Sequence, residues 1–394
     1  MIGLVAIAPV SIDMFLPSMP DMAREFETST GSISLAVTLF LFAFAASQLF
    51  FGPASDRFGR RPVLLAGLGL YTLGTVISLF SSSVGVLVAG RILQGAGGGA
   101  GPAVATAVVI DVYRRERATQ VLAVMAMVMA LAPMLSPIAG GVLHDLFGWR
   151  SVFVTLLAVG GVLTSGCLLL LPETVPERDR SALEARRMAA NYRRLFSSPV
   201  YVSHALLIAL LFSGQLVFIS SSSFVLIDEL GLTPGLFGVG FGFVALGIMA
   251  GAALARRLAP RWPPDRIILL AVVGGGTASA TMACLALVGA AGALFIVLPM
   301  FLVTVGNGLV RPPAMASALV PFPETAGLAS AVLGFAQIAL ASVYSIAFNG
   351  LLTPGSETMT AAIAAASLAA LILALSVAIP TSRAQQREVM AEGA

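Results

Sequence analysis

Residues 33–80 read "ISLAVTLFLFAFAASQLFFGPASDRFGRRPVLLAGLGLYTLGTVISLF". Two apolar runs, 33–54 and 63–81, flank a short turn that carries Asp56, Arg57, Arg60 and Arg61. Each run has the roughly 20 residues that an α-helix needs to cross hydrocarbon about 30 Å thick. The arginines stop both runs at one level. The stretch therefore predicts two membrane-crossing helices joined at a charged face, and the rest of the chain extends that pattern.

The 394 residues are 58% hydrophobic and 10% charged, with a mean hydropathy of +0.97. Soluble domains carry about 25% charged residues, so this chain has too few charges to cover a water-facing surface and is read as an integral membrane protein. A net charge of +3 is too small to point to nucleic acid. The basic residues are all arginine, for which we have no functional account. Cys167 and Cys284 lie in separate apolar runs, with neither metal spacing nor a disulfide framework. His144 and His204 stand alone in the sequence. No metal site, cofactor or nucleophile–base pair is expected, and an enzyme is disfavoured. No cleavable signal peptide is read at the start, because a basic n-region is missing.

Apolar runs predict twelve spans, at about 1–19, 33–54, 63–81, 84–110, 118–146, 150–171, 200–226, 234–256, 266–290, 293–320, 325–352 and 358–380. The even-numbered connections carry the arginine clusters: Arg57, Arg60 and Arg61; Arg114, Arg115 and Arg117; six between 178 and 194; and four between 256 and 266. Arg383 and Arg387 lie in the tail. The intervening loops hold Arg24 and Arg150. Positive residues stay cytoplasmic, so both termini are expected inside. The longest polar stretch, 172–199, divides the chain into an N-terminal six-helix bundle (1–171) and a C-terminal one (200–380), with 381–394 as a cytoplasmic tail. Within 172–199, Ser181 and Glu184 form a capping box for a surface helix. Residues 101–125 lie over 311–335, with Pro102 on Pro312, which suggests a six-span repeat. Such repeats place a transporter's site near the midplane.

Three motifs stand out. "GPASDRFGRR" (52–61) resembles the loop motif of the major facilitator superfamily. Gly52 is expected to allow close helix approach and Gly59 a tight turn. The resemblance makes Asp56 a latch against the start of span 11, at Pro323-Glu324-Thr325, with Arg60 pairing Asp111. A simple positive-inside anchor explains Arg57, Arg60 and Arg61 but not Asp56 or the glycines. "RILQGAGGG" (91–99) in span 4 resembles the family's fourth-helix motif, whose Arg is linked to proton coupling. An Arg inside a span costs about 2.5–3.5 kcal/mol on insertion scales, so Arg91, with Gln94 one turn on, is expected to face a wet cavity or an acid. The alternative is snorkelling to the outer interface. "ALAPMLSPIAGGVL" (130–143) in span 5 resembles the antiporter motif, with Pro133, Pro137, Gly140 and Gly141 as a hinge or seal. Ser136 stands where that motif has Gly.

Asp13 lies in "SIDMFLPSMP" (11–20), which closely resembles the first helix of the bicyclomycin/chloramphenicol-resistance (Bcr/CflA-like) branch of drug:proton antiporters. "PET" (172–174) and "VFISSSSFVLIDELGLTP" (217–234) fit the same branch. The resemblance implies an all-α fold of twelve helices in two bundles, a bacterial cytoplasmic membrane location, a monomer, and no cofactor beyond the coupling proton. It implies efflux of small, mostly apolar drug-like compounds, with Asp13 as proton and substrate site. Desolvation disfavours a charged carboxyl, so Asp13 is expected to hold a proton that substrate displaces. The plainer alternative is an inert helix-end acid, the role expected of Asp21, Glu25 and Glu27. Only 12 residues precede Asp13, about 18 Å of helix. A first span ending at 19 is therefore short, which raises an upstream start or a truncated chain. Asn307 and Arg311, in "VGNGLVRPPAMAS" (305–317), complete the candidate site. Arg311 falls where the branch has an apolar residue. It is read as a cavity Arg for an acid or polar substrate group, with snorkelling to the cytoplasm as alternative. Rival functions are an exporter of a specific metabolite (sugar, nucleoside or siderophore) and a proton-coupled uptake permease. A non-transporting receptor is disfavoured, since no sizeable soluble domain is read.

Overall fold

In hydrocarbon every backbone N–H and C=O needs a partner within its own segment, and the chain meets this with helices. The computed structural model describes all residues except 114, 176–191, 291, 323, 324, 354, 383 and 385–394. Among the described residues, twelve helices are long and apolar enough to cross a membrane. They are α1 Ile2–Glu25, α2 Thr30–Phe58, α3 Arg60–Leu79, α4 Val84–Val112, α5 Glu116–Phe147, α6 Arg150–Leu170, α7 Pro199–Glu229, α8 Pro234–Leu258, α9 Pro264–Leu287, α10 Leu294–Leu319, α11 Gly327–Leu351 and α12 Ser356–Ser382. The capping box at Ser181 and Glu184 lies outside the described residues.

The first span is longer than the sequence suggested. It runs to Glu25 through a break, with α-helix at Ile2–Asp13, a 3₁₀ turn at Leu16–Ser18 and α-helix again at Met19–Glu25. Prolines at 17 and 20 end the apolar reading without ending the crossing. Pro17 has no N–H, so the Asp13 carbonyl loses its helical partner and the helix steps aside there. Asp13 consequently lies midway along the span rather than near an interface, which removes the shortness expected of a span ending at 19.

The described residues of Met1–Ala185 and Ser223–Gly242 pack as one unit, and those of Arg186–Ser222 and Phe243–Ala394 as a second. In the first unit, α4 is the packing post, because its glycines face three neighbours. A Cβ on Gly97 would strike the backbone of Tyr71 and Gly67 in α3. One on Gly95 would strike the Phe40 carbonyl in α2, and one on Gly101 the Leu4 carbonyl in α1. Close backbone approach replaces the hydrophobic drive that lipid removes. The second unit repeats the device. Gly251 of α8 meets the Val305 carbonyl of α10, and Gly308 of α10 meets the Ile248 carbonyl. At Gly52, expected to serve close approach, an added Cβ would meet nothing within 4 Å among the described residues.

A matched pair tests this packing. Gly97→Ala puts a methyl into backbone and is expected to destabilise the protein in detergent by about 1–3 kcal/mol. Gly69→Ala, at an exposed position of α3 with no described residue near its added Cβ, is expected to be neutral or stabilising by up to about 1 kcal/mol. Thermal unfolding of the two variants checks the difference.

Candidate functional site

The break in α1 leaves Asp13 at the C-terminal end of its helical segment, where the helix dipole disfavours an anion. Its side chain is 5% exposed. Among the described residues it has no hydrogen-bond or ion-pair partner.

The backbone on either side of Asp13 is gripped by other helices. Because Phe15 N–H turns to the Ile12 carbonyl (3.2 Å), the Ser11 carbonyl is free to accept from Arg91 of α4, at 3.0 Å. The same Arg91 nitrogen donates to Gln94 Oε1 at 2.6 Å. Gln94 Nε2 donates to Thr75 Oγ1 at 2.9 Å, and Thr75 Oγ1 to the Tyr71 carbonyl at 2.7 Å. The Tyr71 hydroxyl lies 2.8 Å from Ser11 Oγ, which itself donates to the Ile7 carbonyl, so the network returns to α1. Arg91 is fully buried. Its guanidinium lies over Phe15 (4.6 Å) and Phe40 (4.3 Å), with Nε and one terminal nitrogen unpartnered. The sequence expected a wet cavity or an acid around it. The structure instead places it between two rings, which supply a negative π-face without a formal charge.

In α5 the helix continues through Pro133 and Pro137. Gly140 sits against the Met14 backbone, one residue past Asp13. Gly141 sits against Pro234 and Gly235 at the start of α8, and Gly238 of α8 against the Pro137 carbonyl. The span 5 motif thus seats α1 at its break and α8 along its first turns.

At the charged turn, Arg60 gathers both acids. Its guanidinium pairs with Asp56, donates to Ser55 Oγ at 2.7 Å, and reaches Asp111 through Nε at 3.0 Å. Arg57 stays exposed over Phe58. The predicted partner of Asp56 at Pro323 and Glu324 lies outside the described residues. Glu173, which the sequence marked only as part of "PET", is the residue of this turn whose contacts that reading missed. Its carboxylate accepts from the backbone N–H of Arg60 at 2.8 Å and of Arg61 at 3.4 Å, capping α3 from a distance in sequence. The α3 N-cap is Gly59, which has no side chain to do this and takes φ +108°. A Cβ there would collide with the Glu173 carboxylate. Burial raises the Glu173 carboxyl, but four backbone N–H donors, from Val175, Arg60, Thr174 and Arg61, outweigh it and hold the group below its ordinary value. Arg61 also donates to the Leu168 carbonyl at 2.7 Å.

At the other end of the first unit two of the acids expected to be inert, Asp21 and Glu25, are paired. His144 Nε2 meets Asp21 at 2.6 Å and its Nδ1 lies 3.1 Å from Ser18 Oγ, so His144 is not isolated. Arg24 bridges Asp21 and Asp228, the latter at 2.7 Å. Glu25 accepts from Trp149 Nε1 at 2.5 Å and Arg150 at 2.9 Å. His204 in the second unit lies 2.8 Å from the Val200 carbonyl through Nδ1 and 3.3 Å from Ser382 Oγ through Nε2.

The second unit holds a cavity of about 80 Å³ lined by Arg311, Asn307, Gln215 and Gln337 among apolar side chains. Asn307 Nδ2 donates to Gln215 Oε1 at 3.1 Å. Asn307 and Arg311 are thus together, in the second unit; Asp13, Arg91 and Gln94 are together in the first.

Residues 1–347 match the family model of the Major Facilitator Superfamily. Multidrug resistance protein D of Escherichia coli is 29% identical over 335 residues, covering 85% of this chain and 83% of that one. A bicyclomycin resistance protein homolog of Haemophilus influenzae is 26% identical over 341 residues, covering 85% and 84%. The fold is similar to a peptide transporter POT in complex with sulfate (TM-score 0.78, 17% identity, 97% and 94% covered). It is also similar to a D-xylose–proton symporter (TM-score 0.74, 16% identity, 94% and 95% covered).

Glu173 generates a pH prediction. A carboxylate held below its usual value stabilises the fold above the unfolded value of 4.5, and that contribution is lost as the pH falls through the lower folded value. Glu173→Gln is therefore expected to lower stability at neutral pH by about 1 kcal/mol, the magnitude of a lost helix cap. The gap to the native protein should close as the pH drops below 4.5. Parallel thermal melts of the two proteins across this range check it.

Proposed function

The chain belongs to the Major Facilitator Superfamily, and we propose that it is a proton-coupled antiporter that exports small, mostly apolar drug-like compounds, with Asp13 as the coupling acid. In this reading two six-helix bundles alternate access, both termini are cytoplasmic, and the protein works as a monomer in the bacterial cytoplasmic membrane. The single observation that carries the reading is the unpartnered Asp13 carboxyl midway along α1, buried in a network that fixes everything around it except the carboxyl itself. A purely structural acid would be expected to have a partner; buried polar groups are otherwise hydrogen-bonded.

The exchange follows from the geometry. With its proton, Asp13 is a neutral group in an apolar wall. Substrate that brings a positive charge or hydrogen-bond donors to it favours the ionised form and expels the proton. Proton and substrate affinities are then linked reciprocally. Each proton that moves inward in an electrogenic cycle supplies about 2.3 kcal/mol per 100 mV. Arg91 acts as a positioning residue: it holds the Ser11 carbonyl and so the turn that presents Asp13. Gly140 and Gly141 let α5 close on α1 and α8, a seal that suits an exchanger. The names of relatives such as Multidrug resistance protein D support export. The fold alone does not choose a direction, since a xylose–proton symporter shares it.

The test is proton release. Chloramphenicol or ethidium added to the detergent-solubilised protein in weak buffer is expected to release protons, read with a pH indicator. Asp13→Asn is expected to release none. Continued release by that variant means that another group is the coupling acid. A drug-susceptibility panel in a pump-deficient strain gives the direction of transport.

A further inference from the structure

Arg311 lies in α10 between Leu294 and Leu319, about 12 Å of helix from the nearer end. Its side chain is nonetheless exposed, because it lines the cavity of the second unit. No carboxylate faces it: among the described residues Arg311 makes no ion pair. A permanently charged guanidinium at this depth is costly when unpaired. Beside it, Gln337 is 5% exposed and its Oε1 is buried with no hydrogen-bond partner. Asn307 and Gln215 are joined to each other on the wall. Phe212 and Ile248 give the cavity an apolar side.

We propose that this cavity is a substrate subsite for an anionic oxyacid head group, a carboxylate or sulfonate, carried on an apolar body. The proposal rests on the transport reading above and adds a substrate class to it. A guanidinium presents a planar fork that matches the two oxygens of a carboxylate. An amide supplies a donor or an acceptor at the same place by turning over, so Gln337 meets the anion through N–H or a neighbouring hydroxyl through Oε1. A cavity of about 80 Å³ is too small for a whole drug-sized molecule, whose pockets run to several hundred Å³; it fits a head group, with the body against Phe212 and Ile248. The depth of Arg311 favours a free solute over a lipid: about 12 Å from the helix end is below the head-group layer, about 5–8 Å thick on each side.

Calorimetric titration of the purified full-length protein in neutral detergent, near neutral pH, compares phenylbutyrate with its neutral isostere phenylbutyramide. The carboxylate is expected to bind at least about tenfold more tightly, the scale of one charge-assisted hydrogen bond. Arg311→Gln is expected to erase that preference while Arg311→Lys keeps part of it. The native protein alone decides the matter if a variant fails to fold. Equal affinities for the pair, no binding of the carboxylate, or an undiminished preference in a folded Arg311→Gln protein would overturn the proposal. The result is separable from the antiport reading: a protein that prefers the carboxylate but releases no proton with drug keeps the subsite and loses the exchange at Asp13, and the converse keeps the exchange and loses the subsite.

Discussion

Hydrocarbon does not tolerate an idle charge, and the placement of four ionisable groups organises this molecule. An Arg or Asp at the centre of a span costs several kcal/mol unless something meets it. Arg60 is met by Asp56 and Asp111 at the end of its helix. Arg91 is met by two rings, a carbonyl and an amide, and by no acid among the described residues. Asp13 and Arg311 are met by nothing charged among the described residues. The first two are solved structurally, which leaves little for them to do except hold helices in place. Of the last two, Asp13 is buried, whereas Arg311 is exposed on the cavity of its unit.

The packing explains how such groups are kept apart from lipid. Glycines bring α4 against α1, α2 and α3 so closely that backbone touches backbone, and the polar network from Ser11 through Tyr71, Thr75, Gln94 and Arg91 lies in the layer thereby sealed. Pro17 then opens one gap in the seal. By removing an N–H it leaves the Asp13 carbonyl without its helical partner; just before it the Phe15 N–H turns to Ile12, the Ser11 carbonyl accepts from Arg91, and Gly140 sits against the Met14 backbone. A proline, an arginine and a glycine on three helices thus define the position of one carboxyl that none of them touches.

Much of this was legible in residues. Span number came from hydrophobic length, which the bilayer imposes on any sequence. The pairing of Arg60 with Asp111 was readable as a motif. What escaped the reading depended on distance in sequence or on rotation about a helix axis. Glu173 caps α3 from more than a hundred residues away, and only the open α-carbon of Gly59 hinted that a partner had to come from elsewhere. The ring sandwich around Arg91 needs the faces of α1 and α2, which apolar helices do not advertise. The first span was read short because its prolines imitate a terminus. A break and an end have the same local signature, and the charged stretch beyond Pro20, with Asp21, Arg24, Glu25 and Glu27, favoured reading an end.

The internal repeat gives Asp13 and Arg311 different origins. The alignment that lays Pro102 over Pro312 lays Gly101 over Arg311. In the first unit that position must be glycine, since the Leu4 carbonyl of α1 occupies the space of a Cβ. In the second unit the corresponding place opens on a cavity and holds the largest cationic side chain available. At these two positions, aligned by sequence, one unit is closed and the other open. The first unit, closed there, concentrates its free energy on fixing α1 and presenting Asp13. The second, open there, leaves the Arg311 guanidinium exposed on the cavity. Two such units do not need equivalent sites to couple a proton to a solute; each needs only an affinity that depends on the conformation both share.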